Sequence, residues 1–176
     1  MVSKITTPSS IEATGTPSSS TFLRGDGAWA VAGPSTGQVI QVVSSVFSSQ
    51  ISTTSTSYVT TGHSVTITPS SSSNKIYLSV QGGSSWNNND VNYNRYFTIY
   101  RTSTNLSTDG NGFEVQYDNS LHAGPHSMSY LDSPNTTSAT TYTVYFKTQG
   151  GTSWYTHNAG GGNGVNVVFT AFEIKG

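Results

Sequence analysis

Cysteine is missing from all 176 residues, which excludes a disulfide scaffold, a thiolate metal site and a cysteine nucleophile together. Charge is nearly as scarce: charged side chains make up 9% of the chain, against roughly 25% in ordinary soluble domains, and the formal net charge is −1. The cations Lys4, Arg24, Lys75, Arg95, Arg101, Lys147 and Lys175 are scattered. Without a basic stripe to track phosphates, nucleic acid is not an expected partner. No run approaches the ~18 apolar residues of a membrane span, and Met1-Val2-Ser3-Lys4-Ile5-Thr6 lacks the apolar core of a secretory signal. The expectation is a chain made in a cytoplasm, with no membrane insertion.

Hydroxyl groups do the solvating instead, Ser and Thr filling about a third of the chain. Disordered chains share that bias, but they lack the ten Tyr, seven Phe, three Trp and the β-branched runs found here. A period of two appears after Gln38, in Val39-Ile40-Gln41-Val42-Val43 and His63-Ser64-Val65-Thr66-Ile67-Thr68. It continues with Ile76, Leu78 and Val80, then Phe97 and Ile99, then Phe113, Val115 and Tyr117, then Tyr142, Val144 and Phe146. The separators are turn chemistry, such as Pro69-Ser70-Ser71-Ser72-Ser73-Asn74 and Gly160-Gly161-Gly162-Asn163-Gly164. Seven to nine short strands without a helical period predict an all-β fold, a β-sandwich of jelly-roll type.

Residues 1–36 read as an extended N-terminal arm, and residues 37–176 as the sandwich. The arm's apolar residues Ile5, Ile11, Phe22, Leu23 and Trp29 are too sparse for a core of their own, so an anchoring role on other subunits is expected of them. Two strands are apolar on both faces. In the last, Val167, Phe169 and Ala171 point one way while Val168, Phe172 and Ile174 point the other; near the domain start, Val39, Ile40 and Val42 add to the surplus. Either a subunit interface or the chain's own arm covers that second face.

Two stretches carry a resemblance. Gly15-Thr16-Pro17-Ser18-Ser19-Ser20-Thr21-Phe22-Leu23-Arg24-Gly25-Asp26-Gly27-Ala28-Trp29 closely resembles a segment common in phage tail-fibre sequences. Thr66-Ile67-Thr68-Pro69-Ser70-Ser71, Lys75-Ile76, Tyr130-Leu131-Asp132-Ser133-Pro134 through Thr140-Thr141-Tyr142, and the closing Val167 to Ile174 are similar to a C-terminal domain of fibre-like proteins of aquatic phages. The resemblance implies a virion protein ending in a compact homotrimeric knob akin to the complement C1q and tumour necrosis factor jelly rolls, with first and last strands on the three-fold axis. It implies a tail-fibre, receptor-binding role in host attachment, with other virion proteins (tail, baseplate or capsid) as partners of the arm. Only about 37 residues precede the sandwich, too few for a shaft, so a capsid decoration or head-fibre protein is the alternative.

Little points to catalysis or a cofactor. Four histidines and eight carboxylates are scattered singly, and no nucleophile elbow, zincin helix or phosphate loop is present. Asp90, Asp109, Glu114 and Asp118 are the carboxylates a glycosidase would recruit, without a supporting spacing. His122 and His126 flank Gly124-Pro125, which prevents helical presentation of a metal pair. Asp109-Gly110-Asn111-Gly112 lacks the further acidic ligand of a calcium loop and reads as a hairpin turn. Arg24-Gly25-Asp26 reads as a turn rather than an adhesion triplet. The polar run from Gly83 to Asn94 reads as a long exposed loop, in which Trp86, Asn88, Asp90 and Tyr93, with Trp154, Tyr155 and His157, are candidates for binding host cell-surface glycan. In the alternative, Trp86 and Trp154 plug the ends of the sandwich.

Overall fold

The computed structural model describes residues 14–31, 33–87, 93–117, 124–155 and 165–176, with the side chains of 86, 87 and 154 left aside. The chain divides into two compact units, Met1–Ser35 and Thr36–Gly176.

Residues 14–31 of the first unit are not an extended arm. Thr21–Leu23 (β1) and Trp29–Val31 (β2) form an antiparallel hairpin with Phe22 opposite Ala30, and Thr14 bridges Ala28 in parallel. The Arg24-Gly25-Asp26 triplet is the hairpin's tip: Gly27 N–H donates to the Arg24 carbonyl at 2.9 Å, and Ala28 N–H to Asp26 Oδ1 at 3.1 Å. Gly27, at φ +82°, supplies the left-handed residue that the turn needs. An exposed 3.3 Å ion pair joins Arg24 to Asp26. Repeated backbone pairing satisfies the polar groups of this segment.

The second unit holds eleven strands among the described residues. They are Val39–Phe47 (β3), Ile51–Thr53 (β4), Val59–Ile67 (β5), Lys75–Asn87 (β6), Arg95–Arg101 (β7), Thr104–Asn105 (β8), Glu114–Gln116 (β9), Gly124–Asp132 (β10), Thr140–Thr148 (β11), Ser153–Tyr155 (β12) and Val167–Ile174 (β13). Pairing is nested. First bonds last (β3 with β13), β5 bonds β11, β6 bonds β10, and β7 bonds β8 and β9. One sheet runs β3-β13-β6-β10, with β12 and β4 extending it beside the far end of β6; the other runs β5-β11-β7 with β8 and β9. A long antiparallel ribbon rolled on itself gives this order, the jelly-roll β-sandwich.

The core follows the alternation read from the sequence. Ile76, Leu78 and Val80, beside Val167, Phe169 and Ala171 in the same sheet, face Phe97, Ile99, Tyr142, Val144 and Phe146 of the other, all fully buried. Each of the larger side chains contributes ~1.5–3 kcal/mol by leaving water. Three expectations need correction. The run from Gly83 to Asn87 is strand rather than loop, because β6 continues through a bulge at Gly82 (φ +87°) and Gly83 (φ +64°). A Cβ on Gly82 would sit 2.7 Å from the Asn166 carbonyl, and one on Gly83 would strike Val167. The bulge therefore lets β6 leave β13 and take β12 as its neighbour. Asp109–Gly112 is a turn, with Asn111 N–H donating to Asp109 Oδ1 at 2.7 Å, but not a hairpin, since β8 and β9 both bond to β7. Only Glu114–Gln116 of the run around Val115 is strand, and Tyr117 beyond it is exposed.

Buried carboxylates close one end. Asp132 at the end of β10 accepts from Arg101 Nη1 at 2.8 and 3.0 Å and from the Tyr142 hydroxyl at 2.7 Å, tying one sheet to the other. Burial and the neighbouring carboxylate push the Tyr142 hydroxyl's pKa up, so it stays a donor. Glu173 Oε1 accepts from the Ser70 N–H at 2.6 Å, the Ser70 hydroxyl at 2.8 Å and Asn74 Nδ2 at 2.6 Å, pinning the β5–β6 turn. Burial raises its pKa, but the hydrogen bonds outweigh it and hold the carboxyl below its ordinary range.

Asp132→Ala strands the Tyr142 hydroxyl and the partly buried Arg101, and is expected to cost about 3–5 kcal/mol, whereas Tyr142→Phe costs about 1 kcal/mol. Urea unfolding at pH 7 measures both; equal losses would show that Asp132 acts only through Tyr142.

Candidate functional site

The outward face of the β3-β13-β6-β10 sheet is built by the strand residues that alternate with the core. Register aligns them in rows. Val42, Phe172, Tyr77 and Leu131 form one apolar row across all four strands, about 14 Å wide at ordinary strand spacing. The Tyr77 and Phe172 rings lie 6.0 Å apart within it. The next row is Ser44, Thr170, Ser79 and Ser129, where Ser44 and Thr170 hydroxyls meet at 3.0 Å; the third is Val46, Val168, Gln81 and Ser127. None of these twelve residues is charged. Val42 (55%), Val46 (62%) and Leu131 (46%) are among the most exposed large apolar side chains of the sandwich. A broad, charge-free apolar face with aromatic residues has the make-up of an interface core.

Of the residues expected at an oligomer interface, Val42, Val168 and Phe172 lie on this face. Val39, also exposed, and Ile40 start β3, where a bulge sets Val39 opposite the half-buried Ile174. Sequence reasoning missed Val46, Tyr77 and Leu131. Their signal was available: each is out of phase with the buried Val43, Ile76, Leu78 and Asp132 on its own strand.

The opposite end of the sandwich from Asp132 carries a cavity of about 360 Å³ lined by Arg95, Glu114, Val115, Gln116, Tyr117, Gly124, Pro125 and Ser127. Its polar wall is pre-organised. Glu114 Oε1 meets His126 Nδ1 at 3.1 Å, Glu114 Oε2 accepts the Ser127 N–H at 3.2 Å, and Gln116 bridges from Glu114 to the Gly124 carbonyl and Ser85. Burial raises the Glu114 pKa, but the bonds from His126, Gln116 and the Ser127 N–H outweigh it and keep the group ionised below its ordinary value. Tyr117, 76% exposed, stands at the rim.

None of the described residues expected to bind glycan is among those lining this cavity. Trp86 of β6 is paired in register with Trp154 of β12, adjacent strands rather than loops. The Tyr93 ring covers Gly150. Tyr155 is a correction: it is fully buried, packed on His63, His126, Phe97 and Phe146, because β12 continues the sheet and alternation turns its odd side chain inward. Burial pushes its hydroxyl pKa up. Asn88, Asp90 and His157 lie outside the described residues. So do Ile5 and Ile11 of the anchor set; Phe22 and Leu23 are exposed on the hairpin, and Trp29 is half-buried beside Gly15.

Neither a protein family nor a curated protein matches the sequence. Among solved structures, the chain is similar to that of infectious bursal disease virus Gt strain, at 16% identity and a TM-score of 0.40, over 84% of this chain and 40% of that chain. It is similar to the T=1 particles derived from infectious bursal virus at 15% and 0.41, over 84% and 38%. The VP2 subviral particle of the same virus gives 16% and 0.39, over 84% and 40%. The chain spans about two fifths of the length of these chains.

Glu114→Ala removes a buried carboxylate with three donors, so a loss of about 1.5–3 kcal/mol is expected at pH 7. A depressed carboxylate pKa stabilises above the unfolded value and is lost as pH falls through the folded one. The gap between wild type and Glu114→Ala therefore closes in acid, and urea unfolding at pH 7 and pH 3 checks it; an unchanged gap would refute the ionised state.

Proposed function

We propose that the chain is a non-catalytic structural component of a bacteriophage particle, a tail-fibre-like knob that works as a homotrimer. The observation that carries this reading is the charge-free apolar row Val42, Phe172, Tyr77 and Leu131 on the outward face of the first-and-last-strand sheet. A monomer would leave that row in water, and copies of the chain related by a closed symmetry would bury it. The stretches similar to phage fibre sequences support the virion setting, and the resemblance to proteins with C1q-like knobs supports the three-fold. Residues 1–36 then serve as the attachment to tail, baseplate or capsid.

Host contact fits the opposite end from the carboxylate clamps. The cavity rimmed by Tyr117 and Pro125, with Gln116 and Ser127 as polar groups, offers an apolar platform and hydrogen-bonding groups suited to a saccharide. The Glu114 carboxylate is committed to holding that wall together, which suits binding better than hydrolysis.

The full chain at micromolar concentration is expected to sediment at three times its 18.6 kDa mass, and Val42→Asp with Phe172→Asp to shift it to monomer with the fold intact by circular dichroism. A wild-type monomer would sink the assembly reading. Imaging of intact particles by cryo-electron microscopy is expected to show the knob on the tail; copies following the capsid lattice would make it a decoration protein instead.

A further inference from the structure

Two titratable groups in the core have no part in the assembly face. His63 of β5 and His126 of β10 are 3% and 1% exposed, and both rings pack on Tyr155, with centroids at 5.2 and 4.5 Å. His63 stacks on Phe47 of β3 at 4.4 Å with the planes 11° apart, and His126 meets Phe97 of β7 edge-on at 4.4 Å. Two imidazoles inside one aromatic cluster are a poor choice for stability alone, since phenylalanine fills the same space without polar atoms.

The groups facing the pair differ on its two sides. Glu114 of β9 meets His126 Nδ1 at 3.1 Å, and the Arg95 side chain of β7 lines the same cavity as Glu114. The Tyr155 hydroxyl of β12 stays neutral. His126 Nε2 is buried with no hydrogen-bond partner among the described residues. The His63 nitrogens make no hydrogen bond of good geometry there either, although the Ser49 backbone lies near enough to favour a proton weakly. Among the described residues its charged-state neighbours are thus His126 and that backbone group.

We propose that His63 and His126 form an acid-operated latch in the sandwich core, in which protonation of His63 breaks the aromatic cluster joining β3, β5, β10 and β12 and opens that end of the fold. A proton on His63 would sit buried among the Phe47 and Tyr155 rings, with no counter-charge facing it among the described residues, whereas the opened end hydrates it. Burial first, and His126 second, hold the His63 pKa down to about 4 from 6.5. A base with a depressed folded pKa gives stability that is full above its unfolded value and falls as pH drops towards the folded one. The window is therefore pH 6.5 to about 4, across which the opening constant rises by up to tenfold per unit and stands ~150-fold above its alkaline value at pH 4 from His63.

The test is urea unfolding of the full chain from pH 8 to pH 4, comparing wild type with His63→Phe, which keeps the ring stacking and cannot take a proton. The expected result is equal or greater stability for His63→Phe at pH 8 and a ~150-fold smaller rise of its unfolding constant on going to pH 4. The carboxylates titrate alike in both proteins, so the same pH slope in both would overturn the latch. Should His63→Phe not fold, the His63 ring resonances of the folded wild type decide: a titration midpoint below about 5.5 supports the latch, and one at or above it overturns the latch.

Discussion

The structure depends on a strand that has no polar face. Strand β13 lies between β3 and β6, hydrogen-bonded on both edges, and its side chains are mainly apolar on both faces, with Glu173 at the end of the inward one and Thr170 on the outward one. Val167, Phe169 and Ala171 fill the sandwich; Val168, Phe172 and Ile174 cannot also reach it, because successive side chains of a strand point to opposite sides. The nested jelly-roll pairing places the last strand centrally in its sheet, so the surplus apolar residues stand in the middle of a broad face instead of at a rim. Tyr77 and Leu131 on the flanking strands β6 and β10 extend that surplus across the sheet. One strand thus sets the core, the order of its sheet and the demand for a covering partner.

The two ends of the sandwich are closed by different chemistry. At the start of β6, Asp132 and Glu173 accept hydrogen bonds from groups on other strands and turns. At the far end of β6 the closing groups are aromatic rings and imidazoles, and among the described residues the carboxylate there, Glu114, is matched to His126 alone of the two histidines. Charged hydrogen bonds of the first kind are strong and directional. The second kind is packed rather than bonded, and its weakest member is the ring with the least compensation, His63. That end also carries the cavity, so the part of the fold suited to ligand binding is the part with less polar reinforcement.

Fold class and core were legible because burial in a two-layer sandwich writes itself as alternation, and Ile76-Leu78-Val80 or Tyr142-Val144-Phe146 needs no other information. What was illegible depended on partners far away in sequence. Gly82-Gly83 looks like the end of a strand, and only the close approach of Asn166 and Val167 shows it to be a bulge within one. Tyr155 sits in a run of small and polar residues, and three ordered positions of β12 were too short a pattern to reveal its inward face. Glu114 interrupts an apolar alternation with a charge, which becomes sensible only once His126 and the Ser127 N–H are placed against it. The Arg24-Gly25-Asp26 turn was readable from its glycines, while the hairpin around it required the pairing of Phe22 with Ala30.

The scarcity of charge acquires a physical meaning on the outward sheet face. Copies that meet through a surface pay for desolvating every ion on it, and like charges on symmetry-related copies repel. Val42, Phe172, Tyr77 and Leu131 are bordered by Ser44, Thr170, Ser79 and Ser129, whose hydroxyls can keep hydrogen bonds among themselves, as Ser44 and Thr170 do at 3.0 Å. A hydroxyl row loses far less than a row of lysines or glutamates when water leaves, so the same residues hydrate the exposed face and would lose little under the proposed assembly. Composition that looks like a linker's is, on this sheet, compatible with the covering that the proposed assembly requires.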